Sequence, residues 1–333
     1  MKIPLFSLLM AGLAALTVQA DEPVYGPRLE GFDYPYPVQY FRLNSQQQAL
    51  EMAYLDVPAV QPNGKTVVLL HGKNFCAATW EGSIKALTTA GYRVIAPDQI
   101  GFCKSSKPAQ YQFSFQQLAA NTKALLDQLQ VRQAAVLGHS MGGMLASRFA
   151  LLYPGTTEQL VLINPIGLED WKALGVPYRT VDQWYQRDLA TSAAGIRQYQ
   201  QSTYYGGQWR PEFDRWVQMQ AGMYLGDGKQ QVAWNSALTA DMIFTQPVLY
   251  EFGQLHMPVT LMIGELDNTA IGKDAAPDAL KAKLGNYASL GPATLKLLPK
   301  GRLIRFEDLG HSPHIQAPER FHPQLLQALS TRF

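Results

Sequence analysis

Two early stretches, Gln39–Leu43 and Leu50–Val57, alternate apolar and polar positions with the period of two that half-buried strands show, and they predict an antiparallel start to a sheet. The pattern then changes. Thr66–Leu70, Tyr92–Ala96, Ala134–Leu137, Gln159–Ile163 and Pro258–Ile263 are largely apolar runs, as expected of strands covered on both faces, and Leu303–Phe306 closes the series. Helical periodicity separates them at Trp80–Ala90, at Phe113–Leu129 (with Ser114 placed to cap it), from Met141 onward, and at Pro318–Leu329. The alternation predicts an α/β fold, a mostly parallel sheet of eight strands with helices on both faces.

Two segments break the rhythm. Residues 21–38, with Pro23, Pro27, Pro35 and Pro37, read as an extended lead-in. From Gly167 to about Leu255 the strands stop, and Trp171, Trp184, Trp209, Trp216 and Trp234 cluster there with several tyrosines, which predicts a mostly helical insertion. Expected boundaries are thus a core of residues 21–166 and 256–333 and an inserted unit of 167–255. A further long loop with weak helices runs up to Pro299.

Composition narrows the class. A chain of 333 residues, 47% hydrophobic and 16% charged, suits one large domain with an insertion. The formal net charge is +2 and no Lys/Arg run stands out, so no electrostatic footprint for nucleic acid is expected. Residues 1–20 carry Lys2, an apolar run from Ile3 to Val18, and small residues at Val18 and Ala20, which reads as a signal peptide cut after Ala20. The run is shorter than the ~20 residues a span needs, so export to the periplasm or medium is expected, without stable membrane insertion after cleavage. Only Cys76 and Cys103 remain to pair or stay free.

Gly138-His139-Ser140-Met141-Gly142 joins an apolar run to a helical segment with the G-x-S-x-G spacing of a nucleophile elbow. A serine lifted onto so sharp a turn takes a strained backbone, and the flanking glycines remove side chains that would collide. Its hydroxyl needs a base, and the base an orienting acid. Gly264-Glu265-Leu266-Asp267 and Gly310-His311 follow later strands, and the order Ser140, Asp267, His311 fits. Glu265, Glu169 and Asp170 compete for the acid, while Asp98 reads as a turn-former. His139 reads as packing, and His256 and His322 as surface or hinge residues. His311 and His314 form an isolated H-x-x-H, too little to call for a metal.

With four landmarks in order, His71-Gly72, Asp98-Gln99-Ile100-Gly101, Gly138–Gly142, and Gly310-His311 leading to Pro318-Glu319-Arg320-Phe321, the chain resembles the α/β-hydrolase fold family, specifically its serine hydrolases with a helical lid. The family often has glycine where Cys103 stands. The resemblance implies Ser140 as nucleophile, His311 as base and Asp267 as its acid, with Met141 N–H and Lys73 or Asn74 N–H as the oxyanion hole. In that fold the loops bearing Cys76 and Cys103 are neighbours, which implies a disulfide; two buried thiols are the alternative. It also implies a lid whose aromatic residues line an apolar pocket, with Phe75, Trp80, Trp171, Trp184 and Tyr204 as wall candidates. The activity implied is cleavage of a small apolar carboxylic ester, lactone or thioester without a cofactor. An aminopeptidase of the prolyl iminopeptidase type, with Glu212 and Asp214 near the substrate amine, is one alternative, and a slow-turnover ligand-binding protein is another.

Overall fold

The structure is a computed structural model, described here for residues 22–331. The expected signal peptide lies outside the described residues.

Eight strands form one sheet in the order β1-β2-β4-β3-β5-β6-β7-β8. They are β1 (Val38–Ser45), β2 (Gln48–Val57), β3 (Thr66–Leu70), β4 (Arg93–Pro97), β5 (Ala134–His139), β6 (Thr157–Ile163), β7 (Val259–Gly264) and β8 (Gly301–Phe306). β1 pairs antiparallel with β2, and β2 antiparallel with β4; every later pairing is parallel. The helices, in chain order, are α1 (Glu81–Thr89), α2 (Phe115–Gln128), α3 (Met141–Leu152), α4 (Val181–Leu189), α5 (Ala193–Tyr199), α6 (Asp214–Leu225), α7 (Lys229–Thr245), α8 (Asp278–Lys281), α9 (Tyr287–Leu295), α10 (Pro313–Gln316) and α11 (Pro318–Ser330).

The apolar runs divide between two layers by the period of two. Val68, Leu70 and Val136 pack with Phe115, Leu118, Met144 and Phe149 of α2 and α3. Val67, Leu69, Leu137 and Ile163 turn the other way, onto Trp80, Ile84, Phe321 and Leu325 beside α1 and α11. Ser114 caps α2, its side chain accepting the Gln117 N–H at 3.0 Å.

Helices α4 to α7 fall between β6 and β7 and form the inserted cap. The proline-rich lead-in is tied to this cap. Tyr25 N–H donates to Gly222 O at 3.0 Å, and Arg215 of α6 donates to Asp33 O at 3.2 Å with its guanidinium 5.4 Å from the Phe32 ring. Cys76 and Cys103 form a disulfide across 5.9 Å between Cα atoms, joining the loop after β3 to the loop after β4. Asp98 braces the same two loops, accepting from Ala77 N–H at 2.7 Å, Lys104 N–H at 3.1 Å and the Tyr34 hydroxyl at 2.6 Å.

The turn between β5 and α3 is the tightest contact in this framework. A Cβ at Gly138 would stand 2.0 Å from the Gly142 carbonyl oxygen, and one at Gly142 would stand 2.0 Å from Leu70 O of β3. The glycines therefore clear room for backbone, the second of them for a neighbouring strand. A Gly142→Ala variant is expected to lose about 3 kcal/mol of stability, the upper part of the overpacking range, because a strand carbonyl cannot move aside as a side chain can. The denaturant midpoint is the measurement, and an unchanged midpoint would mean that α3 can slide away from β3.

Candidate active site

Ser140 stands between β5 and α3 at φ 58 and ψ −124, a left-handed conformation that a non-glycine residue holds only under constraint. Its carbonyl accepts from Gly143 N–H at 2.9 Å and Ile166 N–H at 3.2 Å, and its own N–H donates to Ile163 O at 3.1 Å. The residue is thereby held from α3 and from β6 and the loop that follows it. Its Oγ lies 3.3 Å from where a Cβ on Gly72 would be, so Ser140 faces the start of the loop after β3.

Asp267 and His311 come together although 44 positions separate them. His311 Nδ1–H donates to Asp267 Oδ2 at 2.6 Å, both side chains are buried, and the bond leaves Nε2 as the nitrogen able to take a proton. The carboxylate is itself held. Asn164 Nδ2 donates to Oδ2 at 2.9 Å, and the Thr269 N–H and hydroxyl donate to Oδ1 at 2.9 and 2.7 Å. No hydrogen bond joins Ser140 Oγ to His311 among the described residues; their neighbours do the joining. His139 Nε2–H donates to the His311 carbonyl at 2.8 Å, and the two rings are 4.8 Å apart. Burial pushes His139 well below the usual histidine range, which keeps it a neutral donor.

His311 is also fastened to the cap. His311 N–H donates to Thr203 O at 3.1 Å and Ser312 N–H to Tyr204 O at 3.2 Å, both on a short π-helical turn, Gln200–Tyr204. The Tyr204 ring stacks on the imidazole at 5.1 Å and 28°, and its hydroxyl accepts from Asn74 Nδ2 at 2.8 Å. Phe75 lies 5.0 Å from Tyr204 and 6.5 Å from His311. The N–H groups of Met141, Lys73 and Asn74 find no protein acceptor among the described residues.

Several residues stand elsewhere than the sequence suggested. Trp80 is buried in the α1 and α11 layer, 4.7 Å from the His314 ring, because its large indole fills the space beneath the sheet edge. Trp171 belongs to the core, its Nε1–H donating to Glu169 Oε1 at 3.2 Å. Trp184 does border a cleft in the cap, with Arg179 and Arg187 over its ring at 4.9 and 5.3 Å. The Lys73 side chain is mostly buried and donates to Ser236 Oγ at 2.5 Å. The competing acids are occupied: Glu265 pairs with Arg305, Glu169 accepts Gly285 N–H at 2.9 Å, and Asp170 accepts the Tyr250 hydroxyl at 2.8 Å. Among the described residues the one cluster with converging metal-type ligands is Cys76, Asp98 and Cys103, and its two thiols are spent in the disulfide.

Asn164 was missed in the sequence. It sits just past β6 at φ 37, and its side chain joins Asp267 Oδ2 to both backbone groups of Gly264, donating to Gly264 O at 3.0 Å and accepting Gly264 N–H at 2.8 Å. The available signal was an asparagine directly after a buried strand, a residue type that tolerates left-handed backbone. Replacing it with alanine is expected to cut kcat/KM about 100-fold by loosening Asp267. About 1–3 kcal/mol of stability should also go, because the buried Gly264 N–H loses its acceptor. Steady-state kinetics beside a melting curve separate the two effects.

Lys107, buried behind the disulfide, donates to Cys103 O at 2.5 Å, and burial pulls its pKa down to about 7. The unfolded lysine titrates near its ordinary 10.5, so between these values the unfolded chain binds the extra proton. Stability from this group is therefore complete above the unfolded value and is lost as pH falls through about 7. Lys107→Met should remove a slope of about 1.4 kcal/mol per pH unit in that window, read from urea midpoints across it.

A family model described as alpha/beta hydrolase fold matches residues 65–318. The chain is similar to the crystal structure of a probable hydrolytic enzyme from Pseudomonas aeruginosa PAO1, 70% identical, covering 93% of this chain and 99% of that one with a TM-score of 0.93. It shares its fold with an esterase from Exiguobacterium antarcticum, 18% identical, at a TM-score of 0.68 over 88% of this chain and 100% of that one. Among curated proteins it is 38% identical over 108 residues to a 2-hydroxy-6-oxo-6-phenylhexa-2,4-dienoate hydrolase from Burkholderia cepacia, 32% of this chain and 38% of that one. The match thus spans well under half the length of that relative.

Proposed function

The chain belongs to the alpha/beta hydrolase fold family, and from that premise we propose that it is an exported serine hydrolase that cleaves a carboxylic ester through Ser140, His311 and Asp267. The observation that carries the reading is the buried His311–Asp267 hydrogen bond of 2.6 Å beside a strained Ser140 with unpaired backbone donors around it. His311 Nε2 takes the Ser140 proton as Oγ attacks the ester carbonyl, and Asp267 stabilises the imidazolium that forms. The carbonyl oxygen becomes an oxyanion held by Met141 N–H and by Lys73 or Asn74 N–H. Collapse breaks the ester C–O bond, and the alcohol leaves with the proton from His311. Water then attacks the acyl-enzyme carbonyl as His311 takes its proton, and collapse breaks the acyl C–Oγ bond, releasing the acid while His311 returns that proton to Ser140 Oγ. Asp267 holds the imidazole's other nitrogen throughout, and Asn164 and Thr269 keep that carboxylate from turning.

A lactone or thioester fits the same steps. The aminopeptidase reading gains no support from the cap acids, since Glu212 pairs with Arg210 at 3.1 Å and Asp214 with Arg197 at 3.0 Å. Export is supported by the disulfide, which persists in oxidising compartments. Among the described residues no helix is long and apolar enough to cross a membrane.

A fluorophosphonate probe is expected to label Ser140, and Ser140→Ala to lose labelling together with about 10⁵-fold in kcat on p-nitrophenyl esters. Labelling at another residue, or ester turnover that survives the substitution, would sink the assignment.

A further inference from the structure

Beside the loop that carries Lys73 and Asn74 the cap and core enclose a cleft of about 290 Å³. It lies next to the proposed site, one residue layer away on two sides. Lys73 follows Gly72, the residue that faces Ser140, and Tyr199 lies 5.3 Å from Tyr204, which stacks on His311. An aromatic-rich cap suggests an apolar hollow, yet Lys73, Asp188, Ser236 and Arg187 all line this one.

The charges are incompletely matched. Lys73 Nζ donates to Ser236 Oγ at 2.5 Å but is 3.9 Å from Asp188 Oδ2, beyond hydrogen-bonding reach. Asp188 Oδ2 is buried and accepts no hydrogen bond among the described residues, and the side chain is only 13% exposed. A carboxylate in that setting wants a donor, and an ammonium with N–H groups to spare wants an acceptor. Burial pulls the Lys73 amine down from the usual lysine range while Asp188 opposes the shift.

A ligand ammonium would meet Lys73 and Arg187, and a ligand carboxylate would meet Asp188. A neutral group that both donates and accepts avoids either clash. Resting on the ester-hydrolase reading above, we propose that this cleft is a polar subsite selecting esters whose chain carries a neutral hydroxyl or amide, which donates to Asp188 and accepts from Lys73. Purely hydrocarbon chains leave Asp188 Oδ2 without a donor and bind less well, because a site built for hydrogen bonding rejects the analogue lacking the group.

The test uses the full-length mature enzyme and matched p-nitrophenyl esters of four to ten carbons, each straight chain compared with counterparts bearing a hydroxyl at successive carbons from C3, or an internal amide. At least one polar ester should exceed its parent in kcat/KM by about tenfold or more. That ratio should fall toward one in Asp188→Ala and in Lys73→Met, with Asp188→Asn as the variant that keeps the volume if alanine impairs folding. A wild-type ratio of one or less throughout overturns the proposal, as does a ratio that survives both substitutions or a stronger preference for carboxylate- or ammonium-bearing chains. Methyl esters of the same acids, titrated calorimetrically into Ser140→Ala, read the subsite by affinity alone. Loss of all ester turnover would sink the reaction assignment, while equal affinities for polar and hydrocarbon esters would sink the subsite.

Discussion

The approach of α3 to strand β3 is the constraint from which the remainder of the site follows. Leu70 O lies where a side chain at position 142 would begin, and Gly142 O lies where one at position 138 would begin. Three backbone segments converge there with no room for a Cβ at either glycine. Ser140 is forced into left-handed backbone as a result, a local cost of order 1–3 kcal/mol that the surrounding sheet sustains. The Met141 N–H, first in α3, has no protein acceptor at the same place. Any loosening of this contact would relax the serine and turn that donor away.

The imidazole is positioned by a second set of constraints drawn from far along the chain. Asp267 is fixed from the loop after β7, Asn164 from the loop after β6, and His311 from the loop after β8, so adjacent parallel strands bring all three to one sheet edge. The cap then adds two backbone hydrogen bonds to the His311 loop and a stacked Tyr204. In this arrangement the cap is part of the support of His311. The lead-in segment, hydrogen-bonded to Gly222 and Arg215, anchors the cap from the other side. The disulfide and Asp98 do the equivalent for the loop that follows β3.

The aromatic residues of the cap serve mainly to build it. Trp171, Trp184 and Trp216 are almost wholly buried, and Tyr205 and Phe213 stack at 3.7 Å. Their bulk fixes the spacing between cap helices, and the gap they leave beside Lys73 is lined by polar and charged side chains. An abundance of tryptophan in an insertion thus says more about how the insertion packs than about what its cleft accepts.

Strand and helix periods, the elbow pentapeptide and the later Asp and His loops were readable along the chain because each is a local pattern of a few residues. The eight strands and their parallel character, the Ser114 cap and the disulfide partners follow from such patterns and from the family they resemble. Asn164 was not readable, because its role depends on Gly264 and Asp267 lying across a strand pairing about 100 positions away. The surroundings of Lys73 were hidden for the same reason: Ser236 is 163 positions distant, and only packing of cap on core brings the two within 2.5 Å. Sequence alone determined which elements exist and which residue types can do chemistry. Tertiary structure decided which side chains meet and which are left unpaired, because those outcomes depend on distances between segments that no local period encodes.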